Sequence, residues 1–241
     1  MRESRSVKTL RSSLTRLAVL LLGLLTLPVL AADKPTVAVL YFDYEGDTAG
    51  MKLLKKGLAQ MLISDLSAHE SVRLVERERL QQVLDELKLN QSDKFDPETA
   101  NRIGKLLGAR YLVMGGYFDV MNTLRVDARV VETETGRIIR SVGADSTPDR
   151  FLTLEQTLAQ DLRAVFEELT ATAEPGKAPA KPKPARGKPR RLTRDTALRY
   201  ARALDAKDRK DLETAKKELT AVVKAQPDFQ LASTELALLM K

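Results

Sequence analysis

The chain has 241 residues, of which 43% are apolar, and it contains no Cys, no Trp and a single His. This length allows one domain of ordinary size with appendages. The absence of Cys excludes disulfides and thiolate metal sites, and one His cannot by itself form a zinc centre. The chain also lacks the glycine-rich phosphate-binding and nucleophile-elbow motifs, so we expect no enzyme activity, no cofactor and no metal.

The net charge of +7 is distributed unevenly along the chain. It is +4 over residues 1–31, −5 over 32–173, +7 over 174–194 and +1 over 195–241. The largest segment is therefore acidic, and the basic residues are concentrated in a leader and a linker. This distribution argues against a nucleic-acid partner.

Residues 1–31 are predicted to be a cleavable signal peptide. Five basic residues precede an apolar run over 17–30, which is shorter than the roughly 17–25 residues of a membrane-spanning helix but suits a signal-peptide core. The small residues Ala31 and Ala32 predict cleavage after Ala31, with an uncleaved anchor as the alternative. No Cys follows, so we expect an exported periplasmic protein, associated or not with the outer membrane, and not a lipoprotein.

Residues 32–173 are predicted to form one domain of class α/β (α+β). Strands are predicted at 36–42, 71–75, 111–114, 124–130 and 137–142, with helices at 51–66, 76–89, 96–107 and 153–169. The order predicts helices packed on a mixed sheet that ends in an antiparallel meander. In the helix beginning at 51, Lys56 is assigned to the solvent side.

Local signals mark several element boundaries. Asp96 is a predicted helix N-cap, and Gly108 and Gly136 are predicted to take positive φ at a helix end and in a turn. Thr153 and Gln156 have the spacing of a capping box and predict the start of the last helix of the domain.

Four sequence blocks follow this pattern in order: VAVLYF, LVERERLQQVLDELKLNQS, DPETANRIGKLLGARYLVMGGY and LRVDARVVETETGRII. In order and spacing they resemble the CsgG family, the periplasmic domain of the curli secretion channel, which is close in architecture to the TolB amino-terminal domain. The resemblance covers roughly residues 36–170. It implies a fold used for assembly at the cell envelope.

The chain differs from the pore-forming members of that family. Those members carry a lipidated amino-terminal Cys and insert hairpins into a membrane, and each such hairpin needs more than about twenty residues. The loops at 90–95 and 143–153 are shorter than that. We therefore expect the soluble part of the family without the membrane-spanning hairpins.

Residues 174–194 are rich in Pro, Lys and Arg and are predicted to be an extended solvated linker. The alternative is a weak contact between this basic stretch and anionic lipid or a cell-wall polymer. The following segment, 195–241, has the spacing of a tetratricopeptide-like helical tail, carried by Ala203, Ala215, Leu219, Val222 and Pro227. About three repeats are needed for an independent core, so the tail is expected to dock on its own domain, on a second copy or on a partner.

Four groups of polar residues are candidate sites. His69 is interpreted as a surface residue, with a ligand or base as the alternative. Asp43, Glu45 and Asp47 are interpreted as a solvated loop, with a loose Ca²⁺ site or an acid/base pair as the alternatives. The charged residues from Glu76 to Arg79 are interpreted as exposed, with a subunit contact as the alternative. Arg125, Asp127 and Arg129 are expected to form a charge ladder on the wet face of a strand.

The sequence predicts a non-catalytic periplasmic protein for protein–protein interaction, accessory to an outer-membrane secretion or envelope-assembly system. Its partners would be envelope proteins, bound through the α/β domain and the helical tail. Two alternatives remain open at this point. One is a regulator of a cell-wall synthase, and the other is a ring-forming structural component that self-associates.

Overall fold

A mixed sheet forms the centre of the computed structural model, which describes residues 34–48, 50–68, 70–89, 96–171 and 192–241. The six strands are β1 Thr36–Val39, β2 Asp43–Tyr44, β3 Arg73–Leu74, β4 Tyr111–Val120, β5 Thr123–Glu132 and β6 Ile138–Ser146. Their order is β3-β1-β4-β5-β6, and β2 pairs with β4 beyond the end of β1. The predicted signal peptide, His69 and most of the predicted linker lie outside the described residues.

Strand directions agree with the predicted arrangement. β1 runs parallel to both β3 and β4, whereas β4, β5 and β6 form the antiparallel meander. The predicted fold class, helices on a mixed sheet ending in a meander, is confirmed. One prediction is wrong: Asp43 is not in a loop, because it pairs with Gly116 as part of the short parallel strand β2.

Seven α-helices accompany the sheet in the described residues. They are α1 Leu54–Ser67, α2 Arg77–Glu86, α3 Pro97–Leu106, α4 Phe151–Ala171, α5 Arg194–Asp208, α6 Leu212–Ala225 and α7 Gln230–Leu239. None of them is both long enough and apolar enough to cross a bilayer.

The predicted capping box at Thr153 is wrong. The backbone already turns as a 3₁₀ helix over Pro148–Arg150, and α4 continues from it at Phe151. Thr153 therefore lies inside the first turn of α4, where its carbonyl accepts a hydrogen bond from Thr157 Oγ1 at 2.9 Å. The other boundary signals are confirmed: Asp96 caps α3 by accepting from the Thr99 amide, and Gly108 and Gly136 have φ of 62° and 70°.

The meander has one buried and one exposed face. Along β5 the buried side chains are Leu124, Val126, Ala128 and Val130. They alternate with the exposed side chains of Arg125 and Arg129, as the strand period requires. Gly115 of β4 lies so close to β5 that a Cβ there would come within 1.9 Å of the Asp127 carbonyl oxygen. Glycine is therefore required at this position for the two strands to pair.

Helices α1 and α4 lie on the buried face and pack against each other, with α4 covering β5 and β6. The residues from Val37 to Phe42 are all buried, as expected for a strand covered on both sides. The Tyr117 hydroxyl donates a hydrogen bond at 2.6 Å to the Met51 carbonyl oxygen, which fixes the start of the α1 region to the sheet.

The three C-terminal helices dock on the chain's own domain. Helix α5 packs along α1, α6 packs on α5, and α7 packs on α6. At the crossing, Gly57 leaves so little room that a Cβ there would lie 3.1 Å from the Ala201 Cβ. Among the three docking options expected from the sequence, the structure therefore has the first, and the described residues from Lys34 onward form one compact unit.

Candidate functional site

Charged side chains are buried where α5 crosses α1 and α2. Lys56 of α1 is fully buried, and its Nζ lies 2.9 Å from Asp205 Oδ1 and 2.7 Å from Asp208 Oδ2. Both carboxylates belong to α5, three residues apart on one helical face. A buried ammonium is tolerated only with such partners, since desolvation alone costs several kcal/mol.

Arg77, the first residue of α2, is the second buried cation of this contact. Its side chain is 0% exposed, and its guanidinium donates from Nη1 to Asp208 Oδ2 at 2.8 Å and from Nη2 to Asp208 Oδ1 at 3.0 Å. This is the two-pronged geometry in which Arg recognises a carboxylate most strongly. Asp208 thus contacts cations from two separate helices of the α/β domain.

Lys207 adds a partly exposed rim to the contact. Its Nζ lies 3.2 Å from Glu78 of α2 and 2.6 Å from Glu235 of α7. Burial by itself would raise the pKa of Glu78, but the guanidinium of Arg77 and the ammonium of Lys207 hold that pKa below its ordinary value. We call this group the charge cluster, and its members are Lys56, Arg77, Glu78, Asp205, Lys207, Asp208 and Glu235.

A chain of hydrogen bonds continues from the cluster into the domain. Arg77 Nη1 also donates to the Tyr41 hydroxyl at 3.2 Å, and that hydroxyl donates to Gln81 Oε1 at 2.9 Å. Gln81 in turn donates to Asp85 Oδ1 at 2.8 Å. Burial, more than any other influence, raises the pKa of Tyr41, so its hydroxyl remains a proton donor at every physiological pH.

The charge cluster is organised to fasten two parts of the chain. Each buried cation is paired with a carboxylate from α5. Opposite charges that are already paired hold helices together but offer no activated nucleophile. The chemistry of this site is therefore recognition of the C-terminal helices by the domain.

Two sequence predictions fail at this site. Lys56 and Arg77 were expected on exposed faces, and both are fully buried. The reason is that their partners are supplied by α5, more than 130 positions later in the chain. Glu76 and Arg79, from the same charged block, are exposed as predicted. One sequence signal could have suggested the contact of α5 with Lys56 and Arg77. Asp205 and Asp208 lie on a face of α5 that otherwise carries small residues.

Glu45 and Asp47, which follow β2, line an open groove of about 520 Å³ together with Asp119 at the end of β4. Asp119 is already engaged there. It accepts hydrogen bonds from the Tyr44 hydroxyl and from Thr48 Oγ1, the latter at 2.8 Å, and its carboxylate lies 3.9 Å from Arg194. In the described part of the chain, no three His, Cys, Asp or Glu side chains are grouped in a way that could hold a metal ion.

Two of the three residues predicted to form a charge ladder on β5, Arg125 and Asp127, form an ion pair. Arg125 Nη2 lies 2.7 Å from Asp127 Oδ1 on the same strand, and Arg125 Nη1 lies 3.8 Å from Asp145 on β6. All three side chains are about half exposed, so this ladder contributes little to stability. It lies on the exposed face of the meander.

No curated protein matches the chain at a significant level. Solved structures with a similar fold include the LpoB C-terminal domain from Escherichia coli, at 18% identity and a TM-score of 0.40, covering 47% of this chain and 83% of that one. Lipoprotein GNA1162 from Neisseria meningitidis matches at 14% identity and a TM-score of 0.40, covering 59% and 99% of the two chains. The PelC dodecamer from Paraburkholderia phytofirmans matches at 13% identity and a TM-score of 0.34, covering 58% and 91%.

The family comparison gives a more specific result. Residues 23–120 match the family model described as curli production assembly/transport component CsgG. This range contains the first three of the four sequence blocks that carried the resemblance. The resemblance of this part of the chain to the CsgG family, predicted from those blocks, is thus confirmed.

Proposed function

We propose that this protein is a non-catalytic accessory of an envelope secretion or assembly system, exported to the periplasm, which works by binding other envelope proteins. The observation that carries the proposal is the match of residues 23–120 to the family of a curli assembly and transport component. Because the charge cluster fastens the C-terminal helices to the α/β domain, the surface offered to a partner is formed by the domain and these helices together.

The short connections in the meander support an accessory role over a pore. A two-residue turn, Met121 and Asn122, joins β4 to β5, and both residues have positive φ. The next turn closes at Gly136. Neither connection holds the roughly twenty residues that a membrane-spanning hairpin needs.

The tip of the β4–β5 hairpin is the surface we propose for partner contact. Val120 is 58% exposed and Met121 is 95% exposed. Large apolar side chains at an exposed turn are unfavourable in water, and a Met with positive φ adds backbone strain. A protein partner that covers this tip would remove these apolar side chains from water.

The test is site-specific photocrosslinking in cells. A photoreactive amino acid is placed at Met121 in the full chain, with the same substitution at Glu134, an exposed residue in the turn at the other end of β5, as the matched control. We expect processed protein in the periplasmic fraction and one discrete adduct with an envelope protein from position 121 only.

The identity of the adduct separates the remaining roles. An adduct with a secretion component supports the proposal, whereas one with a cell-wall synthase supports the regulator role, and an adduct between two copies supports a ring-forming role. Retention of the unprocessed chain in the cytoplasm would contradict the proposal. So would ion conduction by the purified protein in lipid bilayers, or turnover of a small molecule.

A further inference from the structure

A partly enclosed cavity of about 490 Å³ lies where α7 approaches α1 and α4. It is separate from the proposed contact at the hairpin tip. Its wall combines apolar groups with oxygen acceptors, and the residues that matter here are Gln60, Met61, Asp65, Glu155, Phe229 and Leu231. The cavity exists only because the C-terminal helices are docked, since α1 and α4 form one wall and the start of α7 forms the other.

Two buried acceptors in this wall have no partner among the described residues. Glu155 of α4 is 1% exposed, and its Oε1 forms no hydrogen bond with the part of the chain that the structure describes. Gln60 Oε1 of α1 is likewise buried, and no described residue donates a hydrogen bond to it. A buried polar atom left unpaired costs about 1–3 kcal/mol, and proteins rarely keep one without a reason.

The charges around Glu155 make the cavity attractive to a cation. Asp65 lines the same wall, and burial first and this neighbouring carboxylate second raise the pKa of Glu155 well above its ordinary value. From α7, Glu235 also lines the cavity and is bound to Lys207 of α5. Arg163 of α4 donates a hydrogen bond from Nη2 to the backbone carbonyl oxygen of Asp65 at 3.2 Å.

From this geometry we infer that the cavity is a binding site for an organic cation, an alkylammonium or guanidinium group, held between Glu155 Oε1 and Gln60 Oε1. Such a group donates hydrogen bonds and brings positive charge to a wall that offers acceptors. Phe229 adds an aromatic ring, and Met61 and Leu231 add apolar surface for an alkyl stem. The inference does not depend on the proposed envelope role.

Calorimetric titration of the full-length protein tests this site. The probes are n-butylammonium chloride, as a free amine, and Nα-acetyl-lysine methylamide, as a lysine borne on a peptide backbone. n-Butanol has the same alkyl stem without the charge and is the ligand control. We expect saturable binding of at least one charged probe and none of n-butanol.

Two variants place the binding in the cavity. A bound cation favours the ionised form of Glu155, whose proton leaves to the solvent. Glu155→Gln keeps the size of the side chain but cannot ionise, so it should weaken binding about tenfold or more. Asp65→Asn should weaken it in the same direction and serves if Glu155→Gln folds poorly. Glu168→Gln makes the same change on an exposed part of α4 and should leave binding unchanged.

The two charged probes distinguish the source of the cation. Binding of the free amine alone assigns a small metabolite-like amine, and binding of the lysine derivative alone assigns a protein side chain. The inference is overturned if neither charged probe binds, if n-butanol binds equally well, or if Glu155→Gln and Asp65→Asn bind as tightly as the unmodified protein.

Discussion

Arg77 and Asp208 are 131 positions apart in the chain, yet the guanidinium of one meets the carboxylate of the other through two hydrogen bonds, at 2.8 Å and 3.0 Å. Because the Arg77 side chain is completely buried, water competes little for these two hydrogen bonds. It joins the first turn of α2 to the end of α5. The C-terminal helices therefore depend on the α/β domain for their position.

Replacing Asp208 should loosen these helices. Asp208→Asn leaves Lys56 and Arg77 with one carboxylate fewer between them, and breaking a buried pair in this way costs about 3–5 kcal/mol. Urea unfolding measures the loss, and amide hydrogen exchange shows whether α5 to α7 lose protection first. Asp195→Asn removes an exposed charge from the same helix and should have little effect. Equal stability of the two variants would contradict the role assigned to the cluster.

Removing both ends of the Arg77–Asp208 pair should be less damaging than the separate losses suggest. In Arg77→Met with Asp208→Leu, no unpaired charge is left at that contact, and Lys56 keeps Asp205. The double-mutant cycle should therefore give a favourable coupling of about 0.5–3 kcal/mol. Strict additivity of the two single changes, measured by the same urea unfolding, would show that the residues do not interact in solution.

Gly115→Ala should severely destabilise the meander. An added Cβ would lie 1.9 Å from the Asp127 carbonyl oxygen, which belongs to the backbone of a paired strand and cannot move away cheaply. We expect a loss of about 2 kcal/mol or more in thermal or urea unfolding. The neighbouring Gly116→Ala is the matched control, because its Cβ would have 3.2 Å to the Asp43 carbonyl oxygen. A smaller loss at 115 than at 116 would refute the close-approach argument.

The buried carboxyl of Glu155 should make stability fall as pH rises. Its pKa in the folded protein lies well above the ordinary value that it has in the unfolded chain, so between these two values the folded state holds the extra proton. The contribution of Glu155 to the free energy of unfolding is fully present at pH values below its pKa in the unfolded chain. As pH rises from that pKa to the pKa in the folded protein, this contribution decreases by up to about 1.4 kcal/mol per pH unit. Glu155→Gln has no such dependence.

Urea unfolding at pH 5, 7 and 8 measures this difference. Relative to the unmodified protein, Glu155→Gln should gain stability steadily with increasing pH. Glu168→Gln, the exposed change on the same helix, should leave the pH profile unaltered. A constant offset between Glu155→Gln and the unmodified protein at all three pH values would mean that Glu155 does not carry the dependence.

Glu78 should give the opposite trend at acid pH. Its folded pKa is below the ordinary value because Arg77 and Lys207 outweigh its partial burial, so the unfolded chain takes up its proton first. The stability it contributes is present above the unfolded pKa and is lost as pH falls through the folded pKa. Glu78→Gln should flatten the acid limb of a stability curve measured between pH 2 and 6. Glu76→Gln, an exposed neighbour, should not.

The sequence predicts local structure in this protein better than it predicts long-range contacts. The alternation from Leu124 to Val130 and the glycines at 108 and 136 act over a few residues, and the structure agrees with all of them. Lys56 was misplaced because its helix alone gives no sign of the carboxylates that neutralise it. The cavity at Glu155 was missed for the same reason, since its walls come from three helices far apart in the chain.

The anchoring of α5 has a consequence for the covalent link that precedes it. Ala171 ends α4 and Leu192 is buried in the same packed unit, so both ends of the intervening segment, 172–191, are held by the body of the protein. The buried ionic contacts of α5 act in addition to this covalent connection. A protease nick within it should therefore leave two polypeptides that still migrate as one particle and separate only when a denaturant or strong acid breaks the ionic contacts.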